Sequence, residues 1–352
     1  MMGEDRELAF FIKRRLPSAD GFVKGKFWIS FVSLWGVVKM PANLNYTQVF
    51  GLQSNARLGS ISKVFNVSSD FEIYGVNVWA QHASSSIYPL MQQFEVVLRN
   101  SIDSAARARF GDFWWDKIAV DNTKPNYKSF LDYIKSAKKK LISEWKRKEM
   151  IRLGLGDISL VTTPPPALNH DDIVAATDLF TWETLLSDAY SSDNPGLKNK
   201  YLWPVSLPKV FRKLHEIDRK PNDARKKISN MITEVRRYRN RLFHHDCIWV
   251  KSKSVDPRTA VDSIREKINT IESVIRVISP VSHNALLAWG VFDNAKRVCS
   301  VDELAIYTLM NHPQPLQNES PVFNKYHGLT CSGKKTLPMM VAGELCAFYR
   351  VR

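Results

Sequence analysis

The chain has 352 residues, 44% of them apolar, which is enough for a real core and two domains of ordinary size and excludes a largely disordered protein. Its 50 basic residues against 35 acidic ones give a net charge of +15 and a pI near 9.6, so an anionic partner such as nucleic acid or a membrane surface is favoured. Cys247, Cys299, Cys331 and Cys346 form no C-x-x-C pair, which argues against a disulfide framework or zinc ribbon and for a reducing, cytoplasmic setting.

In chain order, the apolar stretch Phe27 to Val38 is closed by Lys26 and Lys39 and falls short of the ~18 to 20 residues a bilayer crossing needs, so no membrane association is expected. Arg14, Arg15, Lys24 and Lys26 ahead of it give the charge layout of a secretory signal, but no small-residue cleavage site follows. Met40 offers an alternative start, which would leave residues 1–39 upstream. Residues 41–80 contain alternating stretches such as Phe71 to Val76 and are not assigned to helix or strand.

From Tyr88 to Arg109, Leu90, Met91, Phe94, Val97, Leu98, Ile102 and Ala105 recur at three- and four-residue steps, predicting a helix that Gly111 stops. A second helix is expected over Ser129 to Met150, with Phe130, Ile134, Ala137, Leu141 and Trp145 on its apolar stripe. Its other faces are basic, with Lys138, Lys139 and Lys140 at their centre. Thr162 to Pro166 reads as a connector, since proline lacks the amide donor. Asp171 or Asp172 is expected to start a helix running through Phe180, Trp182 and Leu185, and Ser191 to Gly196 to end it. Ser206 with Pro208 opens another. Asn222 is read as the N-cap of a long helix carrying Ala224, Ile228, Met231, Ile232, Val235 and Leu242. Asp256-Pro257 repeats the cap-then-proline signature before Ile264, Ile268, Ile271, Ile275 and Ile278.

The expected fold is all-α: an antiparallel helical bundle over 85–298, preceded by a small irregular or mixed segment (1–84) and followed by a C-terminal appendage (299–352). After Asn311 the tail is rich in proline, glycine and polar residues, with one apolar run from Pro338 to Phe348.

The densest chemical signal is Arg236-Arg237-Tyr238-Arg239-Asn240-Arg241-Leu242-Phe243-His244-His245-Asp246. Asn240 and His244 share a helix face one turn apart, while Arg239 lies about 140° round from His244. One flat surface cannot present all three; a crevice, a loosened helix end or a second subunit can. Metal-free RNA cleavage needs a base for the ribose 2′-hydroxyl, an acid for the leaving 5′-oxygen and cations around the phosphorane-like transition state. Histidine titrates near neutrality, and arginine can hold two phosphate oxygens in a fork. The same residues also suit a solvated helix face, and His245-Asp246 suits a helix terminus. Asp171-Asp172 beside His170 is explained by a helix N-terminus rather than a metal site, and no cofactor or metal is expected.

Arg239 to Trp249 resembles the R-N-x-x-x-H signature of HEPN domains in the version carried by the Abi-like (abortive infection) family. Phe94 to Asn100, with Arg109-Phe110-Gly111 and Trp114-Trp115, is similar to that family's early block. Leu179 to Leu186, with Leu202-Trp203, is similar to its central block, although the glycine expected before the aromatic pair is replaced. The resemblance covers 85–285. It implies a HEPN bundle, usually dimeric, acting as a metal-independent endoribonuclease in phage defence or as a toxin, with a cleft shared by two subunits. In that reading Arg239 stabilises the phosphate, Asn240 orients it, His244 is acid or base and His245 a partner. Glu95, Arg99 and Asn100 support the cleft, and an antitoxin or regulatory partner is implied. Arg236, Arg237, Arg241, Lys226 and Lys227, within a segment of twelve basic and four acidic residues from Lys209 to Arg241, form with Lys138, Lys139 and Lys140 the expected RNA footprint. The competing expectation is a non-catalytic HEPN module that binds RNA or a protein partner.

Overall fold

The computed structural model describes residues 44–308, Asn324, and the backbone of 336–341 and 344–349. The stretch Phe27 to Val38 lies outside the described residues. Residues 44–308 are mostly helical: α1 (Thr47–Phe50), α2 (Asn55–Phe65), α3 (Asp70–Phe110), α4 (Ser129–Arg152), α5 (His170–Ala175), α6 (Leu179–Thr184), α7 (Leu207–Val210), α8 (Pro221–Phe243), α9 (Pro257–Ile278), α10 (Pro280–Ala288), α11 (Val291–Val298) and α12 (Val301–Thr308). β1 (Thr336–Val341) and β2 (Glu344–Tyr349) pair antiparallel, with Met339 opposite Cys346, so the described residues of the tail's apolar run are strand.

α3 organises the core. It is 41 residues long and begins at the Ser69/Glu72 capping box, not at Tyr88. The boundary expected between 84 and 85 therefore falls inside this helix, and residues 70–84 are helix, not irregular or mixed structure. Pro89 sits within it, where the ring removes one ladder bond and crowds the carbonyl four residues back. In the preceding turns the Ser84, Ser85 and Ser86 hydroxyls bond to the carbonyls of Ala80, His82 and Ala83. The buried stripe from Phe71 through Val76, Trp79, Ala83, Ile87 and Leu90 to Leu98 and Ile102 carries the helix across the proline. α2, α6, α7, α9, α11 and α12 all pack on α3. α12 approaches so closely that a Cβ added to Gly75 would lie 2.2 Å from the Tyr307 carbonyl oxygen. The boundary expected after 298 is likewise bridged, since Leu304 is buried in the same core.

α9 follows its sequence pattern. Asp256 caps it through the Thr259 amide, and Ile264, Ile268, Ile271, Ile275 and Ile278 are buried on one stripe, each contributing about 1.5–3 kcal/mol by burial. The expected single helix after Asp171 is instead two short ones, because Asn169 caps α5 and Asp178 caps α6. Asp178 accepts from the Thr181 amide at 2.9 Å, so a second helix starts where the first would have continued. α8 starts at Pro221 with Lys220 as N-cap. Asn222 lies one position into the helix and donates to Asp193 at 2.8 Å rather than capping.

Candidate active site

α8 ends inside the motif. His245 adopts a left-handed backbone (φ 56°). Its amide bonds to the Leu242 carbonyl (3.1 Å), and the Asp246 amide reaches the Arg241 carbonyl (3.0 Å), the two bonds of a Schellman closure. The position usually taken by glycine is here a histidine. Cys247, Ile248 and Trp249 then turn into the core, and the Arg241 Nη2 clamps this return by donating to the carbonyls of Cys247 (2.5 Å) and Trp249 (2.7 Å). His244 and His245 are left exposed on the knuckle between helix and return.

One turn earlier, Arg239 lies over the Phe243 ring, 4.2 Å from its centroid. Phe243 in turn meets Tyr88 of α3 at 5.4 Å, and Arg239 Nη2 is 4.0 Å from Glu95 of α3. The Arg239 Nε–H is buried and has no hydrogen-bond partner among the described residues, while a third of the side chain stays exposed. The guanidinium is thus held by stacking while keeping donor capacity, a suitable state for an anion that arrives later. Asn240 is half-buried on the neighbouring stripe, one turn before His244. Burial pushes the Asp246 carboxyl up, but hydrogen bonds from the Cys247 amide and thiol, with Lys251 and Arg241 nearby, outweigh it and hold the group below the usual range.

The expected footprint divides. Arg236 is paired with Glu183 of α6 and lies over Phe180 at 4.4 Å; with Arg241 clamped to carbonyls, neither is free for phosphate. Lys227 pairs with Asp218 at 2.5 Å. Lys138 and Lys140 sit 4.0 Å from Asp116 and Glu144. Arg237, Lys226 and Lys139 are exposed, with no ion pair among the described residues. α6 packs against both α4 and α8 and so links the two basic helices. Of the supporting residues, Glu95 reaches the motif, whereas Arg99 Nε donates to Asn100 at 3.3 Å and neither bonds to the motif.

His170 is buried elsewhere. It accepts from the Phe113 amide (3.0 Å) through Nδ1, faces Asp103 through Nε2 (2.9 Å) and stacks on Trp115, while Asp103 also accepts from the Trp114 indole. This network fastens the turn after α3. Among the described residues, no group of three His, Cys, Asp or Glu side chains is placed to hold a metal ion, and no helix is long and apolar enough to cross a membrane.

Sequence reasoning missed a cavity of about 920 Å³ beside the motif, bounded by α2, α3 and the return after α8. Asn77 and Tyr88 of α3, Arg57 of α2 and Trp249 line it together with Phe243 and His245. Its signal lay in α3, where Asn77, Ala80, Gln81, Ser84 and Ser85 follow one another at helical spacing. Such a stripe of small and polar residues cannot fill the space beside a neighbouring helix. Set against family models, curated proteins and solved structures, the chain matches none.

Proposed function

We propose that this chain is a metal-independent endoribonuclease of the HEPN type, serving in abortive infection or as a toxin, and acting in a cleft completed by a second copy. The observation that carries the reading is Arg239: a guanidinium held over Phe243 with a third of its side chain exposed, one turn from two exposed histidines at a helix end. Arg239 holds the scissile phosphate and neutralises charge as the phosphorane forms. One histidine takes the proton of the 2′-hydroxyl, and the 2′-oxygen bonds to phosphorus. The 5′-oxygen leaves with a proton from a second histidine, giving a 2′,3′-cyclic phosphate and a 5′-hydroxyl end. Asn240 orients the phosphate or the His244 imidazole. The ~140° between Arg239 and His244 along the helix is the reason to bring in a second protomer.

The test is incubation of the purified protein with RNA in EDTA. Cleavage by wild type, lost in His244→Ala and in Arg239→Ala, is the expected result; no cleavage, or equal cleavage by His244→Ala, refutes it. A non-catalytic RNA-binding module is the second reading, favoured by Arg236 and Arg241 being occupied within the chain. It predicts salt-sensitive RNA binding that survives Arg239→Ala combined with His244→Ala.

A further inference from the structure

The cavity beside the motif is built unlike a packing defect. Its walls are mostly apolar, with Ile61, Ala80, Leu242 and Ile248 among them, and its volume of about 920 Å³ falls in the ~300–1,000 Å³ range of small-molecule sites. Into this apolar space faces a polar group without a partner among the described residues. Asn77 is only 2% exposed, and its carboxamide has no hydrogen bond among the described residues. Burying such groups unbonded costs stability, and a native core keeps them unsatisfied chiefly where something else completes them. At the mouth stand two exposed aromatics, Tyr88 and Phe243, and Arg57, which has no carboxylate partner among the described residues. Asp246 also borders the cavity, but its charge is balanced by Lys251 and Arg241, each 3.5 Å away.

We infer that this cavity binds a nucleotide, with the base inside, its edge read by Asn77, its face against Tyr88 or Phe243, and its phosphate at Arg57. A carboxamide offers both donor and acceptor to a base edge. Aromatic rings at the mouth supply the stacking that unpaired bases use. Phe243 ties the two sites together, since one ring both lines the cavity and carries Arg239. An unpaired RNA base next to the scissile phosphate is the source we assign, and that choice rests on the ribonuclease reading. The nucleotide chemistry rests on the cavity alone.

Binding is measured calorimetrically on the full chain with two probes: the four nucleoside 5′-monophosphates, and 2′-O-methyl hexanucleotides, which lack the attacking hydroxyl. Asn77→Leu, which keeps the volume and removes the polar edge, is expected to weaken binding at least tenfold. Its melting temperature should equal or exceed that of wild type, which a purely structural Asn77 would not give. Ser84→Trp, at a half-buried position on the wall, should block the cavity independently. Monophosphate binding that Asn77→Leu and Ser84→Trp weaken establishes a nucleotide site, and hexanucleotide binding that they weaken, without monophosphate binding, identifies RNA as the source. Absence of binding by both probes, or binding untouched by Asn77→Leu and Ser84→Trp, overturns the inference. Nucleotide binding without RNA cleavage would leave the site standing and remove the ribonuclease reading. Cleavage whose base preference is the same in Asn77→Leu, with unchanged affinity, would do the reverse.

Discussion

His245→Gly separates what the helix end requires from what the chemistry requires. With φ at 56°, the histidine holds a conformation that costs a non-glycine residue about 1–2 kcal/mol. Glycine removes that cost but loses about 0.4–1 kcal/mol through its freer unfolded chain. The two Schellman bonds involve only backbone atoms and persist in the variant. The net expectation is stabilisation by about 0.5–1 kcal/mol, which at ~2–4 °C per kcal/mol for a large domain raises Tm by about 1–4 °C. Thermal unfolding followed by circular dichroism measures it, with His245→Ala as control, because alanine keeps the backbone cost and lacks the imidazole. RNA cleavage should fall in both variants if the imidazole transfers a proton. A glycine variant no more stable than the alanine variant refutes the backbone argument, and full activity in both removes His245 from the chemistry.

Gly75→Ala places a Cβ 2.2 Å from a backbone oxygen of α12, so it should lower stability by about 1–3 kcal/mol in denaturant titration. Arg236→Ala leaves the buried Glu183 with Thr233 as its remaining bonded partner and should destabilise by about 2 kcal/mol without changing the salt dependence of RNA affinity. Arg237→Ala should instead leave Tm unchanged and reduce that salt slope by about 0.7, as loss of one single-strand phosphate contact does. Burial pushes the Cys299 thiol up to about 12, so alkylation at pH 8, which needs the thiolate, should label its peptide only after unfolding.

Much of the helical frame was legible because its signals are local. α9 announces itself by Asp256-Pro257 and five isoleucines at helical spacing, and α4 by Phe130, Ile134 and Ala137. The first half of α3 was not, because Phe71 to Val76 alternates over a window too short to separate helix from strand and Pro89 suggests a start rather than an interior position. The break between α5 and α6 depends on two competing caps, Asn169 and Asp178, that periodicity does not weigh. At the site, the motif showed which residue types gather but not their commitments. Arg236, Arg239 and Arg241 look alike in sequence; only the fold bonds the first to a carboxylate and the third to two carbonyls, and holds the second over Phe243 at 4.0 Å from Glu95. The cavity needs three separate segments, and only the small and polar stripe of α3 left a trace of it in the sequence.

The indole of Trp79 bonds to the carbonyl of Val298, 219 residues later, at 3.0 Å. At ~5–20 residues per second, a ribosome takes about 10–45 s to cover that interval. Until then the first half of α3 lacks α11 and α12, two of the helices that seal it. A growing chain has therefore made Arg239 to His244 well before the scaffold beneath Tyr88 is closed, and a polypeptide cut short anywhere before Val298 carries the motif on an open core. A protein that cleaves RNA would thereby be spared cutting the message that is still encoding it.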